Sequence, residues 1–272
     1  MKTIILVGSD GLVGSALSSY FNHHKLEHLS VNRANQEMVR GRDCDLLVLA
    51  MANSNKTRAN QDPTFDLRSS VLSVYEYINA TNAGKVVLIS SVDVYPERHL
   101  VSRTKERPIL TITDQSTYGF HKQLAEIATM RLAKDLCIFR LPAIVGPGLK
   151  KNPIFDYFSD QKMFISPDSE LNVVHTSFIA RVVTEIMLDD KLSTKQIFNV
   201  VAKDSLVLNK LEQHFGLKKN YHPEALVKKQ IYNISSSKLS RLYSLPSSID
   251  AVKLYYSDRQ KWLGLSEQVF PD

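Results

Sequence analysis

Tyr118-Gly-Phe-His-Lys122 sets a phenol and a primary amine four positions apart. On a helix, positions i and i+4 share a face, so both side chains reach one ligand. A phenol in water titrates at about 10. A neighbouring ammonium favours its phenolate and makes it a usable proton donor and acceptor near neutrality. The spacing alone is common on helices that do no chemistry, but its context is specific. Val86-Val-Leu-Ile-Ser-Ser-Val-Asp-Val-Tyr95 reads as a buried strand ending in hydroxyl residues. Ser91 at its carboxyl end is placed to hydrogen-bond a substrate oxygen. In an open parallel sheet the binding crevice lies beyond the carboxyl ends of the strands. Ser91, Tyr118 and Lys122 are therefore expected to converge by topology.

A second site precedes these residues. The apolar run 4–7 enters Gly8-Ser-Asp-Gly-Leu-Val-Gly14 and then an amphipathic segment. Gly8 lets the chain turn sharply out of the strand, Gly11 removes a side chain where backbone must approach a pyrophosphate, and Gly14 lets the helix lie close to the sheet. The helix start offers free N–H groups and partial positive charge to phosphate. At the end of the next apolar run, an acidic residue would bind ribose hydroxyls and repel a 2′-phosphate. The chain carries Asn32-Arg33 there, and arginine pairs bidentately with phosphate. The reading is a nicotinamide dinucleotide with NADP(H) preferred and NAD(H) as the alternative.

These groups need a scaffold. Runs at 3–7, 28–31, 46–50, 86–90 and 137–141 are apolar on both faces, as central parallel strands are. Helix-period segments lie at 12–23, 64–79 and 117–133. The alternation predicts an α/β doubly wound parallel sheet. Only about a dozen residues separate Asn32 from Leu46, too few for a helix–strand–helix detour, so the third strand of the usual order is expected to be vestigial. After Gly146-Pro147-Gly148 the character changes. The expected organisation is a dinucleotide-binding domain over 1–150, with 177–202 returning to it. Residues 151–176 and 203–272 then form a smaller substrate-binding lobe.

Together the residues resemble the extended branch of the short-chain dehydrogenase/reductase superfamily, closest to nucleotide-sugar epimerases, dehydratases and 4-keto reductases. The resemblance rests on the Gly-x-x-Gly-x-x-Gly turn, the strand end at Leu46–Ala52, Ser91-x-x-Val94-Tyr95, Tyr118-x-x-x-Lys122 and Arg140-Leu-Pro-Ala-Ile-Val-Gly-Pro-Gly148. It implies that Ser91 orients the substrate oxygen, Tyr118 exchanges the proton and Lys122 holds the nicotinamide ribose. It implies cofactor contacts at Gly8, Gly11, Leu12, Val13, Gly14, Asn32, Arg33, Ala50, Met51, Ser90, Tyr118, Lys122, Leu141 and Pro142. The dehydratases carry Asp-Glu after the strand-end hydroxyl; Val92-Asp93 stands there in this chain, which argues against dehydration. Ala143 and Ser177-Phe178 depart from the family's Asn and Asp pair.

The expected activity is NADP(H)-dependent reduction of a keto-sugar, most simply one carried on a nucleotide. The alternatives are epimerisation with retained NAD and a non-catalytic dinucleotide-sensing regulator. A homodimer through the helices at 64–79 and 117–133 also follows from the resemblance, with Ser69, Ser73 and Ala125 allowing close approach.

The 272 residues are 43% apolar and 23% charged, with net charge +6, which suits an anionic ligand. No dense Lys/Arg block with interleaved aromatics points to nucleic acid. No run approaches a membrane span or forms a signal peptide. Cys44 and Cys137 sit in apolar stretches and read as reduced core residues in a cytoplasmic protein, and no metal-ligand spacing is present. Phe155, Tyr157, Phe158, Met163 and Phe164 read as either pocket lining or core. Tyr255, Tyr256 and Trp262 read as packing residues, Arg107 as a loop residue, and His121 as facing away from Tyr118 and Lys122.

Overall fold

A computed structural model describes residues 2–110, 115–159, 161–192 and 194–262. In chain order its elements begin with β1 (Ile4–Val7), α1 (Leu12–His23), β2 (His28–Val31) and β3 (Arg42–Leu49). Next come α2 (Lys56–Gln61), α3 (Pro63–Leu67), α4 (Ser73–Ala80), β4 (Thr81–Ser91), α5 (Thr117–Leu132) and β5 (Leu136–Leu141). The remainder is β6 (Ala143–Val145), α6 (Pro153–Phe158), β7 (Glu170–Leu171), β8 (Val173–His175), α7 (Thr176–Leu188), β9 (Gln196–Asn199), β10 (Leu206–Val207), α8 (Lys210–Phe215) and α9 (Ser248–Trp262).

Six strands form one parallel sheet in the order β2-β1-β3-β4-β5-β9. Among the described residues no strand intervenes between β2 and β3, where a single 3-10 turn, Gln36–Val39, makes the whole connection. The sheet is thus one strand short of the usual order on that edge, as the short connection requires. Its core is built from both-face-buried strand residues such as Val7, Val31, Leu47, Leu49, Val86, Leu88 and Ile138, with Ala125 and Ala128 of α5 against them. Small residues on α5 bring that helix close to the sheet. Ala125 is therefore core in the single chain, which removes it from the residues expected at a dimer contact.

Two elements differ from the sequence reading. β3 and β4 start earlier than their apolar runs, because Arg42, Asp43 and Cys44 pair with Thr81, Asn82 and Ala83. Asn82 also donates to the Asp43 carboxylate at 3.0 Å. That polar, half-exposed stretch is legible only through its partner. The segment expected as one helix over 64–79 is interrupted by a π turn at Arg68–Leu72, and its hydroxyls turn back on the backbone: Ser69 donates to the Phe65 carbonyl and Ser73 to the Ser69 carbonyl, each at 2.8 Å.

The chain divides into two compact units. The first, comprising residues 1–97, 106–141 and 177–200, holds the six-stranded sheet. The second, comprising 98–105, 142–176 and 201–272, holds the parallel pair β6–β8 and the antiparallel pair β7–β10. In it Tyr157, Phe158, Phe215, Tyr255 and Tyr256 form one aromatic core, and Met163 is buried. Phe164 is instead exposed and stacks on His222. Trp262, expected to be packed, is 81% exposed at the last residue of α9, so that expectation is corrected. Cys44 and Cys137 are free and buried. Among the described residues no helix is long and apolar enough to cross a membrane.

Candidate active site

All of the strand-end residues singled out above, except Pro142, lie in the first unit, at the carboxyl ends of its strands; Pro142 opens the second unit. Gly8 leaves β1 at φ +86, a conformation costly for any residue with a Cβ. Its N–H and that of Ser9 both donate to the Val31 carbonyl, at 2.8 and 3.2 Å. This ties the glycine turn to the end of β2 and brings Asn32 and Arg33 beside it. Asn32 is held by Asn35 through a 2.7 Å bond from its N–H, while Arg33 is exposed. On the other side, Ala50 donates to the Val7 carbonyl at 2.9 Å, and a Cβ on Gly8 would stand 2.6 Å from the Met51 nitrogen. A Cβ on Gly14 would stand 2.0 Å from the Gly8 carbonyl oxygen. The first turn of α1 has no side-chain cap and no acidic residue. A glycine cradle below an uncapped twelve-residue helix fits the pyrophosphate of a dinucleotide.

The catalytic candidates also meet. β4 ends at Ser91, and a 3-10 turn at Val92–Val94 follows. The Ser91 hydroxyl accepts the Asp93 N–H at 3.2 Å and donates to the Asp93 Oδ2 at 3.1 Å. α5 starts beside this turn, capped by Ser116, whose hydroxyl accepts the Gly119 N–H at 3.2 Å. The approach is close enough that a Cβ on Gly119 would lie 2.4 Å from the Asp93 carbonyl oxygen. Tyr118, one residue earlier, is consequently brought to Ser91, whose hydroxyl acts on its phenol. The Lys122 Nζ lies 5.7 Å from the Tyr118 ring centroid. Both side chains are buried.

Electrostatics differ from the sequence reading in one respect. Burial pushes the Tyr118 phenol above its ordinary range, Asp93 adds to this, and Lys56 and the Ser91 hydroxyl oppose it. A second cation, Lys56 at the start of α2, thus acts on the phenol beside the expected Lys122. Lys56 pairs with the Asp93 Oδ2 at 2.7 Å and sits 5.8 Å from the Tyr118 ring centroid. Lys122 is itself pushed down to about 8 by burial, against the pull of Asp66, Glu126 and Asp93.

Two buried clusters behind the site were missed by sequence reasoning. Glu126, one turn beyond Lys122, accepts from Ser90 at 2.6 Å and from the Arg140 Nε and Nη2 at 2.9 and 2.6 Å. Arg140 also donates to Tyr95, which donates to Asn199. The Ser90 hydroxyl is therefore committed to the core, leaving only its backbone for the cofactor contact expected there. Asp66, fully buried, accepts from the His121 Nδ1 at 2.7 Å, from the Asn53 amide at 2.8 Å and from the Ser70 hydroxyl at 3.3 Å. His121 is directed at Asp66, which agrees with its exclusion as the base. The i+8 position of Glu126 relative to Tyr118 was a visible signal; Asp66 and Lys56 left none.

The family model described as NAD dependent epimerase/dehydratase family matches residues 4–158. No curated protein matches by sequence. Among solved structures, the chain is similar to MoeE5 in complex with UDP-glucose and NAD, with a TM-score of 0.75, 14% identity, and coverage of 97% of this chain and 100% of that one. It is similar to a dTDP-4-dehydrorhamnose reductase from Bacillus anthracis in complex with NADP, with a TM-score of 0.73, 13% identity and coverage of 94% and 98%. It is also similar to RMD from Pseudomonas aeruginosa complexed with NADPH, with a TM-score of 0.76, 14% identity and coverage of 96% and 100%. At such identities these structures speak to the fold. The family match spans more than half of the chain, from the glycine turn through the Ser91, Tyr118 and Lys122 constellation, so this chain belongs to the NAD dependent epimerase/dehydratase family and is a nicotinamide-dinucleotide-dependent oxidoreductase of the extended short-chain dehydrogenase/reductase type.

Proposed function

We propose that this chain is an NADP(H)-dependent reductase of a keto-sugar carried on a nucleotide. The first unit binds the dinucleotide and the second supplies substrate-binding residues. The observation that carries the reading is the meeting of Ser91 and Tyr118, with Lys122 beside them, at the carboxyl end of β4. When bound, the reduced nicotinamide supplies the hydride. Gly8, Gly11 and the first turn of α1, including Leu12 and Val13, hold the pyrophosphate, and Arg33 pairs with the 2′-phosphate. Ser91 orients the carbonyl oxygen. Tyr118 passes its phenolic proton to the oxygen as the alkoxide develops, and Lys122 fixes the nicotinamide ribose. The lack of an acidic residue at Asn32-Arg33 supports NADP(H) over NAD(H) and, with it, reduction over an epimerisation that retains NAD.

The test is NADPH oxidation at 340 nm with dTDP-4-dehydrorhamnose and a panel of UDP- and GDP-linked 4-keto sugars. Stoichiometric consumption is expected with one member of the panel. Tyr118→Phe should lose at least ~100-fold in rate, the usual size of an acid–base contribution. Undiminished turnover in that variant refutes the assignment. Purified protein that retains NAD and interconverts sugars without consuming NADPH replaces reduction with epimerisation.

A further inference from the structure

We propose that Ser91, Asp93 and Lys56 form a proton relay joining the Tyr118 phenol to the surface. The inference rests on the assignment of Tyr118 as the acid.

One carboxylate oxygen carries the connection. The Asp93 Oδ2 accepts from the Ser91 hydroxyl at 3.1 Å and from the Lys56 ammonium at 2.7 Å. At its inner end, Ser91 meets the Tyr118 phenol. Exposure runs in one direction along this chain. Tyr118 is 8% exposed, Ser91 7% and the Asp93 side chain 5%, whereas the Lys56 side chain is 48% exposed. Lys56 is the member that water reaches. Ser91 has one proton and two acceptors: the Asp93 carboxylate before turnover, and the phenolate once Tyr118 has given up its proton. Lys122, the other cation near the phenol, is buried. The remaining charged groups nearby are Asp66 on α3, bonded to His121, which acts on both Tyr118 and Lys122, and Glu126 on α5, bonded to Arg140, which acts on Lys122.

The steps balance. Transfer of the Tyr118 proton to the substrate alkoxide forms the product O–H and leaves a phenolate. The Ser91 O–H bond breaks as the Tyr118 O–H forms. Ser91 regains its proton from the Asp93 Oδ2, which takes it from the Lys56 ammonium. The Lys56 amine then binds a proton from water. Burial makes the phenolate a strong base, so the net movement is inward in the reductive direction.

The proposal is tested in the protein without substrate by measuring exchange of the Tyr118 hydroxyl proton with water, using NMR on tyrosine-labelled protein. Three variants separate charge from proton transfer. Lys56→Arg keeps a cation beside Asp93 that does not release protons, Asp93→Asn keeps a hydrogen-bonding group that does not carry one, and Lys56→Gln removes the charge. Exchange should slow by at least ~10-fold in all three, scaled to the size of a positioned proton-transfer contribution. Exchange in Lys56→Arg within about twofold of wild type overturns the relay and leaves Lys56 a purely electrostatic neighbour. If Asp93→Asn does not fold, the half-exposed Lys56 variants decide the matter. NADPH turnover of dTDP-4-dehydrorhamnose by Lys56→Arg should fall at high pH and recover with added imidazole. Slowed exchange in a protein that oxidises no NADPH would instead sink the proposed reaction and leave the relay standing.

Discussion

Replacing Gly119 by alanine sets two effects of opposite sign against each other. Alanine in place of glycine inside a helix gains about 1 kcal/mol, and Gly119 is the third residue of α5. The added Cβ, however, would stand 2.4 Å from the Asp93 carbonyl oxygen. Close carbon–oxygen contacts lie at roughly 3.3 Å, so about 0.9 Å of overlap must be relieved between two backbone segments, neither of which is a flexible side chain. Overpacking of this kind costs about 1–3 kcal/mol, which outweighs the helix gain at all but the low end. The expected net loss is up to about 2 kcal/mol, or up to roughly 8 °C in melting temperature for a chain of this size. Kinetics should respond more strongly. The displaced segment carries Tyr118 on one side and Ser91–Asp93 on the other, and a misplacement of about 1 Å at reacting groups costs roughly 100-fold. Thermal unfolding and NADPH turnover measured together form the assay. An alanine variant that melts at or above wild type with unchanged kcat would show that the α5 start yields freely, and the positioning argument for Tyr118 would fail.

Three further outcomes follow from the same geometry. Glu126→Gln leaves the fully buried Arg140 guanidinium without its counter-charge and should cost about 3–5 kcal/mol in urea unfolding, most of it recovered when Arg140→Met is added. Gly8→Ala combines a positive φ with a Cβ 2.6 Å from the Met51 nitrogen, and should weaken NADPH binding by at least ~10-fold in calorimetry while the far-ultraviolet spectrum is kept. Arg33→Asp should lower NADPH affinity by at least ~10-fold and leave NADH within a few-fold; equal losses for both would remove Arg33 from 2′-phosphate recognition.

What the sequence made legible was whatever is encoded in spacing along one element. Gly8, Gly11 and Gly14 announce their turn because the conformation and close approach are local requirements. Tyr118 and Lys122 share a helix face, and the hydroxyl at Ser91 closes an apolar run. Lys56, Asp66 and Asp93 were not legible in the same way. They come from a short helix, the segment just before a π turn, and a 3-10 turn, where side-chain direction follows from tertiary packing rather than from a period. Asp93 was visible only as a departure from the dehydratase pattern. The direction of the shift on Tyr118 was also out of reach, because it depends on burial, which pushes the phenol up and the Lys122 amine down. Trp262 was read as a packing residue with Tyr255 and Tyr256, but aromatic character does not say whether a helix end is covered.

Lys122 carries the last expectation. Its ammonium is buried, and the three carboxylates that act on it are already engaged elsewhere: Asp66 with His121 and Asn53, Glu126 with Arg140 and Ser90, and Asp93 with Lys56 and Ser91. Shared carboxylates do not offset desolvation, so the amine falls from 10.5 to about 8. A basic group whose pKa is depressed on folding binds fewer protons in the native state than in the unfolded chain between those two values. Stability therefore rises with pH across that window, and below about 8 the charged amine opposes folding of the cofactor-free protein by at most about 3 kcal/mol. Lys122→Met should accordingly melt higher than wild type at pH 7, with the gain shrinking as pH approaches 10.5, while NADPH turnover collapses. On the proposed assignment of Lys122 to the nicotinamide ribose, a bound dinucleotide would supply the acceptors that offset this charge; saturating NADPH should then raise the wild-type melting temperature by more than that of Lys122→Met. A methionine variant that is less stable than wild type at pH 7 without cofactor would contradict this account of the buried ammonium.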